Sequence, residues 1–180
     1  TGRWAYGYNA FRIDITPYIQ FGKSNLIEVH LNNVEESSRW YPGGGLYRPV
    51  SVELYGNENF STWDTFVRTL KASKEEAELE VNALLQGKLG KGGKTVITLT
   101  DKEGKKVAEQ TVNGATPAIK TTLKVQNPQL WSPESPYLYH VSLTRYEGKK
   151  VADMQTLKTG IRTISVSKEN GFQLNGITRK

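Results

Sequence analysis

The stretch KEEAELEVNALL, residues 74–85, sets local preference against pattern. Its residue types are mostly helix formers. Yet Ala77, Leu79, Val81, Ala83 and Leu85 take every odd position, and Glu76, Glu78, Glu80 and Asn82 stand between them. A helix scatters that set around its circumference, whereas a strand collects it on one face. Burial of a whole face outweighs a weak residue-by-residue preference, so the spacing predicts a strand here.

The same period of two recurs on both sides. Phe11, Ile13 and Ile15 alternate with Arg12, Asp14 and Thr16; Ile27, Val29 and Leu31 alternate with Glu28, His30 and Asn32. Ile119, Thr121, Leu123 and Val125 alternate with Lys120, Thr122 and Lys124, and residues 50–55 read as a further strand. Turn signals separate the runs at Phe21-Gly22-Lys23, Asp101-Lys102-Glu103-Gly104, Tyr146-Glu147-Gly148-Lys149 and Asn170-Gly171. Many short strands at this spacing predict an all-β sandwich or barrel. Composition breaks at Gly56-Asn57-Glu58-Asn59-Phe60-Ser61-Thr62, read as a linker, and near Thr159-Gly160 divide the chain. Residues 1–60 hold too few strands for a closed sandwich, 61–162 have the length of one immunoglobulin-like sandwich, and 163–180 hold one hairpin.

The chain has 180 residues, 37% hydrophobic and 23% charged, enough for a core of ordinary soluble composition. Cysteine is absent, which excludes a disulfide framework and thiol chemistry. No apolar run reaches the roughly 18 residues that span a membrane. The net charge is +6, but the basic residues are interspersed with acids, and the densest basic stretch, Lys88 to Lys94, is glycine-rich and has no aromatic residue to stack a base. It reads as a solvated loop, with no nucleic-acid and no membrane partner.

Three strings stand in order: YNAFRIDITPYI (8–19) followed by RWYPGGGLYRPV (39–50), then LWSPESPYLYHVSL (130–143), then GIRTISVSKENGFQLNG (160–176). Together they resemble family 2 glycoside hydrolases of the β-galactosidase kind. The first resembles the end of the N-terminal jelly-roll domain, the second the closing strands of the immunoglobulin-like domain, the third the passage into the (β/α)8 barrel. The resemblance implies an immunoglobulin-like β-sandwich preceded by a partial jelly-roll, cut before the catalytic barrel. Residues 70–128 fit it by strand pattern alone.

The strings are also readable physically. Gly43, Gly44 and Gly45 permit unusual backbone angles and close approach. Arg48 can bond a carboxylate or backbone groups, and Trp131 can plug one end of a sandwich. The resemblance implies that Arg39, Trp40 and Tyr41 form a substrate-adjacent loop. Ser38 and Arg39 stand where some family members place a sugar-contacting acid, and a loop packed by its own aromatics against the next domain fits the same residues. Trp4, Tyr6 and Tyr8 form an aromatic stripe at strand spacing, the pattern of a core or domain interface more than of a sugar platform.

Retaining glycosidases use two carboxylates about 5 to 5.5 Å apart. The family's acid/base glutamate follows an asparagine, and this chain contains Gly56-Asn57-Glu58. That string follows the strand closing the first domain, whereas the family's motif lies deep in the barrel, so no catalytic residue is assigned. His30 and His140 have no companions at metal-ligand spacing, and Gly43-Gly44-Gly45 lacks the lysine and helix of a phosphate loop. No cofactor and no metal site is expected. The sequence therefore reads as an inactive β-sandwich region of a parent enzyme that hydrolyses terminal β-glycosides, most simply β-galactosides. Its partner is the carbohydrate substrate, with homo-oligomer contacts left open. The competing reading is a stand-alone carbohydrate-binding or adhesion module.

Overall fold

Glu76–Gly87 is one twelve-residue strand, and Ala77, Leu79, Val81, Ala83 and Leu85 are its buried odd positions. The computed structural model describes residues 8–32 and 43–179, and the chain divides into two compact units, Thr1–Glu53 and Leu54–Lys180.

The second unit carries all strands of the described residues: β1 (Glu58–Phe60), β2 (Phe66–Ala72), β3 (Glu76–Gly87), β4 (Gly93–Thr100), β5 (Lys106–Asn113), β6 (Ala118–Gln126), β7 (Tyr139–Glu147), β8 (Lys150–Thr159), β9 (Ile164–Ser167), β10 (Gly171–Leu174) and β11 (Ile177–Thr178). In one antiparallel sheet β3 pairs with β2 and β6, and β1 pairs with its last residues, Glu58↔Gly87 to Phe60↔Leu85. The other runs β5-β4-β7-β8, also antiparallel. Leu79, Val81, Leu123 and Val125 from the first sheet share one core with Ile97, Leu99, Val141 and Leu143 from the second. Two sheets burying their apolar faces against each other make a β-sandwich, so the chain is all-β with an immunoglobulin-like sandwich. Every expected turn signal in this unit lies at a strand connection: residues 101–104 between β4 and β5, Gly148 between β7 and β8, Asn170 between β9 and β10.

The outward face of β3 is ionic. Glu80 accepts from Asn82 at 2.9 Å and pairs with Lys120 at 3.1 Å and Arg68 at 2.8 Å. These partners, Asn82 foremost, hold its carboxyl down to about 2. The helix-forming glutamates are thus spent on cross-strand pairing.

Three expectations change. Phe11–Ile15, Ile27–Leu31 and residues 50–55 were expected as strands, but the described residues of the first unit hold only a 3-10 turn at Thr16–Tyr18 and no strand, and residues 54 and 55 are not in one. Alternation supplies an apolar face but not the neighbouring backbone that a ladder needs, and Phe11, Ile13, Ile27, Val29 and Leu31 stay about half exposed. Residues 56–62 are not simply a linker, because Glu58–Phe60 is a buried strand. The terminal hairpin is a three-stranded sheet, β11-β10-β9.

Truncating β3 inward should differ sharply from truncating it outward. Leu79→Ala should lower stability by about 2–5 kcal/mol through the cavity it leaves. Gln86→Ala on the exposed face should cost less than about 0.5 kcal/mol. Urea unfolding followed by tryptophan fluorescence measures both; equal losses would contradict the strand register.

Candidate functional site

Arg39, Trp40 and Tyr41 lie outside the described residues, as do Ser38, Trp4 and Tyr6. Their described neighbours differ from expectation in detail. Neither Gly43 nor Gly45 has a positive φ, and a Cβ at either position meets open space. The Arg48 guanidinium lies 5.3 Å from the centroid of the Tyr47 ring. Tyr8 meets Tyr47 edge-on with centroids 5.7 Å apart and remains exposed.

The catalytic-looking string turns out to be built into the core. β7 turns Tyr139, Val141, Leu143 and Arg145 inward, so a guanidinium occupies an apolar register with 1% of its side chain exposed. Its Nε donates to Glu58 Oε2 at 2.6 Å, and its Nη1 donates to the Gly114 carbonyl at 3.0 Å. The other carboxylate oxygen of Glu58 accepts from the Gly90 N–H at 2.5 Å. Gly93 makes room for this arrangement, since a Cβ there would collide with the guanidinium. Burial pulls the Glu58 pKa upward, but the Gly90 N–H and the Arg145 charge outweigh it and hold the carboxyl below its ordinary value. Glu58 is therefore an anion with both oxygens engaged. That arrangement fixes β1 to β7 and to the 88–92 loop, whereas a general acid needs a raised pKa and a free oxygen toward substrate. The loop read as merely solvated thus sends its backbone inward, while Lys94 lies 5.3 Å from the Tyr146 ring centroid.

The second and third motif strings, about thirty residues apart, meet at one end of the sandwich. Trp131 lies on Gly160, where a Cβ would come within 2.8 Å of the indole. The Arg162 guanidinium covers the same ring at 4.9 Å. The Trp131 N–H donates to the Ile161 carbonyl at 2.8 Å, and Asn175 Nδ2 donates to the Trp131 carbonyl at 3.0 Å. Arg179 grips Glu134 with two bonds of 2.6 and 2.9 Å. The glycine, arginine and asparagine of 160–176 thus seat β9–β11 on the Trp131 turn. Sequence reasoning placed Trp131 at a sandwich end but did not join it to Gly160, because nothing local encodes that contact.

His30 is exposed in the first unit, and His140 lies on the outward face of β7 opposite Lys158. Among the described residues no group of three or more His, Asp or Glu side chains is placed to hold a metal ion, and no helix is long and apolar enough to cross a membrane.

Glu58→Leu and Arg145→Met should each cost about 3–5 kcal/mol, because each strands a buried charged partner, while the double variant Glu58→Leu/Arg145→Met should recover most of the loss. A double-mutant cycle in urea checks this; additive losses would sink the pairing. Because the folded carboxyl titrates below its reference value of 4.5, the pair's stability is complete above that pH and is lost as pH falls through the folded value.

Comparison with known proteins now adds identity to this geometry. The model of the glycosyl hydrolases family 2 matches residues 60–162. A putative β-glucuronidase of Formosa agariphila is 37% identical over 176 residues, 97% of this chain and 17% of that protein. The β-galactosidase BoGH2A of Bacteroides ovatus is 34% identical, covering 95% of this chain and 21% of that protein. The crystal structure of a glycosyl hydrolase family 2 member from Bacteroides cellulosilyticus superposes with a TM-score of 0.88 at 40% identity, over 97% of this chain and 25% of that one. The chain thus spans about a fifth of the length of the curated relatives it matches. Over its sandwich and the turn that carries β9–β11, the chain belongs to family 2 of the glycosyl hydrolases.

Proposed function

We propose that this chain is a non-catalytic β-sandwich region of a longer enzyme that hydrolyses terminal β-glycosides by a retaining mechanism, with both reacting carboxylates outside residues 1–180. The observation that carries the reading is the state of Glu58: the glutamate in the Asn-Glu string is an engaged, buried anion paired with Arg145. In this reading the residues before β1 belong to a jelly-roll domain, β1 to β8 form the immunoglobulin-like domain, and 163–180 lead toward a barrel. The sandwich braces that barrel through the Trp131 turn, and the Arg39–Tyr41 loop shapes the entrance to the sugar pocket.

The substrate class proposed is a terminal β-galactoside, in line with the name of the Bacteroides ovatus relative. A second reading, a terminal β-glucuronide, is favoured by the name of the Formosa agariphila relative. The competing adhesion or carbohydrate-binding module has the same sandwich but no dependent chemistry.

Turnover assays with aryl β-galactoside and aryl β-glucuronide decide between these. The 180-residue chain should release no aryl alcohol. The longer protein should cleave one of the two, and Glu58→Gln within it should lower stability while leaving kcat per folded molecule within about twofold, since the group acts only through folding. Activity of the 180-residue chain toward either substrate would overturn the reading. A longer protein with no glycosidase activity would favour the module.

A further inference from the structure

The outer face of the β4-β7-β8 sheet carries an open groove of about 390 Å³, within the size range of small-molecule sites. Its floor includes His140 and Lys158, cross-strand partners in the β7–β8 register. Tyr139 and Val141 face inward, so His140 faces out. One wall is Lys102, from the turn between β4 and β5; the other is Ser135 to Leu138, the approach to β7. Two lysines and a histidine thus line the groove, and no acid does.

The nearby acids are accounted for. Asp101 turns its carboxylate to the N–H groups of Glu103 and Lys105, at 3.1 and 2.8 Å. Glu103 reaches Lys102 at 3.5 Å, but both side chains are 63% exposed, and such a pair yields readily to a competing anion. The aromatic wall is fixed in advance. Tyr137 stands edge-on to Tyr139 with centroids 5.0 Å apart, and the Tyr139 hydroxyl accepts from the Gln129 N–H at 2.8 Å. The Lys102 ammonium lies 5.5 Å from the Tyr137 ring centroid. Preorganisation of this kind lowers the entropic cost of binding.

We infer that this groove is a binding subsite for an anionic saccharide, one that carries carboxylate or sulfate groups. Lys102 and Lys158 meet the acidic groups, Ser135 and His140 meet hydroxyls, and Tyr137 with Pro136 supplies the apolar wall that a sugar ring needs. A small inorganic anion would leave that wall unused, and a nucleic acid strand needs a row of stacking rings where this groove has one. The choice of a saccharide rests on the glycosidase reading above; the charge and shape of the site do not.

The test is titration of the 180-residue chain, labelled with nitrogen-15, with an oligogalacturonate, a neutral galacto-oligosaccharide of equal length, inorganic sulfate and a short single-stranded DNA. The oligogalacturonate should shift amides in 101–105, 135–140 and 156–159, and the neutral sugar should not. Lys102→Ala and Lys158→Ala, both at exposed positions, should each weaken binding by about tenfold, as loss of one charged contact does. Equal binding of the neutral sugar, equal binding of sulfate or DNA, or unchanged affinity in both variants would overturn the inference. The glycosidase reading fails by a different measurement, turnover by the longer protein, so the two failures are separable.

Discussion

A guanidinium in the apolar register of a strand needs a carboxylate, and that requirement organises one part of this sandwich. Arg145 continues the inward series Tyr139, Val141, Leu143 on β7. A buried, unpaired charge there would cost several kcal/mol. Glu58 answers it from β1, and Gly90 and Gly114 satisfy further groups from two loops. One interaction therefore ties the first strand, the β3–β4 connection and the β5–β6 connection to the centre of the second sheet. It also decides the chemistry of Glu58, because a carboxylate held as an anion with both oxygens engaged is poorly placed to shuttle protons.

Much of this was legible in the sequence, for physical reasons that differ by segment. β3 could be read because period two survives any local preference once one face is buried, and the glutamates that argued for a helix found cross-strand cations instead. β6 and the turns followed the same rule. The Glu58–Arg145 pair had a signal that went unused: an arginine two residues after Leu143 in an inward series asks for a buried acid. The strands expected around Phe11 and Ile27 were not found, because alternation says which face is apolar and nothing about which backbone lies alongside. The Trp131–Gly160 contact was illegible locally, since a glycine's lack of a side chain has meaning only beside the indole that fills the space. Arg39, Trp40 and Tyr41 lie outside the described residues.

These features divide the labour of the sandwich. Its core and its buried ion pair join the two sheets. The Trp131 turn fixes how β9–β11 leave it, through Arg162, Asn175 and the Glu134–Arg179 pair. A two-sheet sandwich with a defined exit suits the bracing role proposed for it in a family 2 enzyme, where a small displacement of supporting structure can misplace reacting groups. The outer face of the second sheet carries the basic groove inferred to take an anionic saccharide.

The central claim is that Glu58 is a structural anion rather than an acid/base group. Carbon-13 NMR titration of the Glu58 carboxyl in the folded chain tests it directly. The account predicts a midpoint below the ordinary glutamate value of 4.5, with the Arg145 side-chain resonances shifting together with it. A midpoint raised above that value, or titration with Arg145 unaffected, would contradict it.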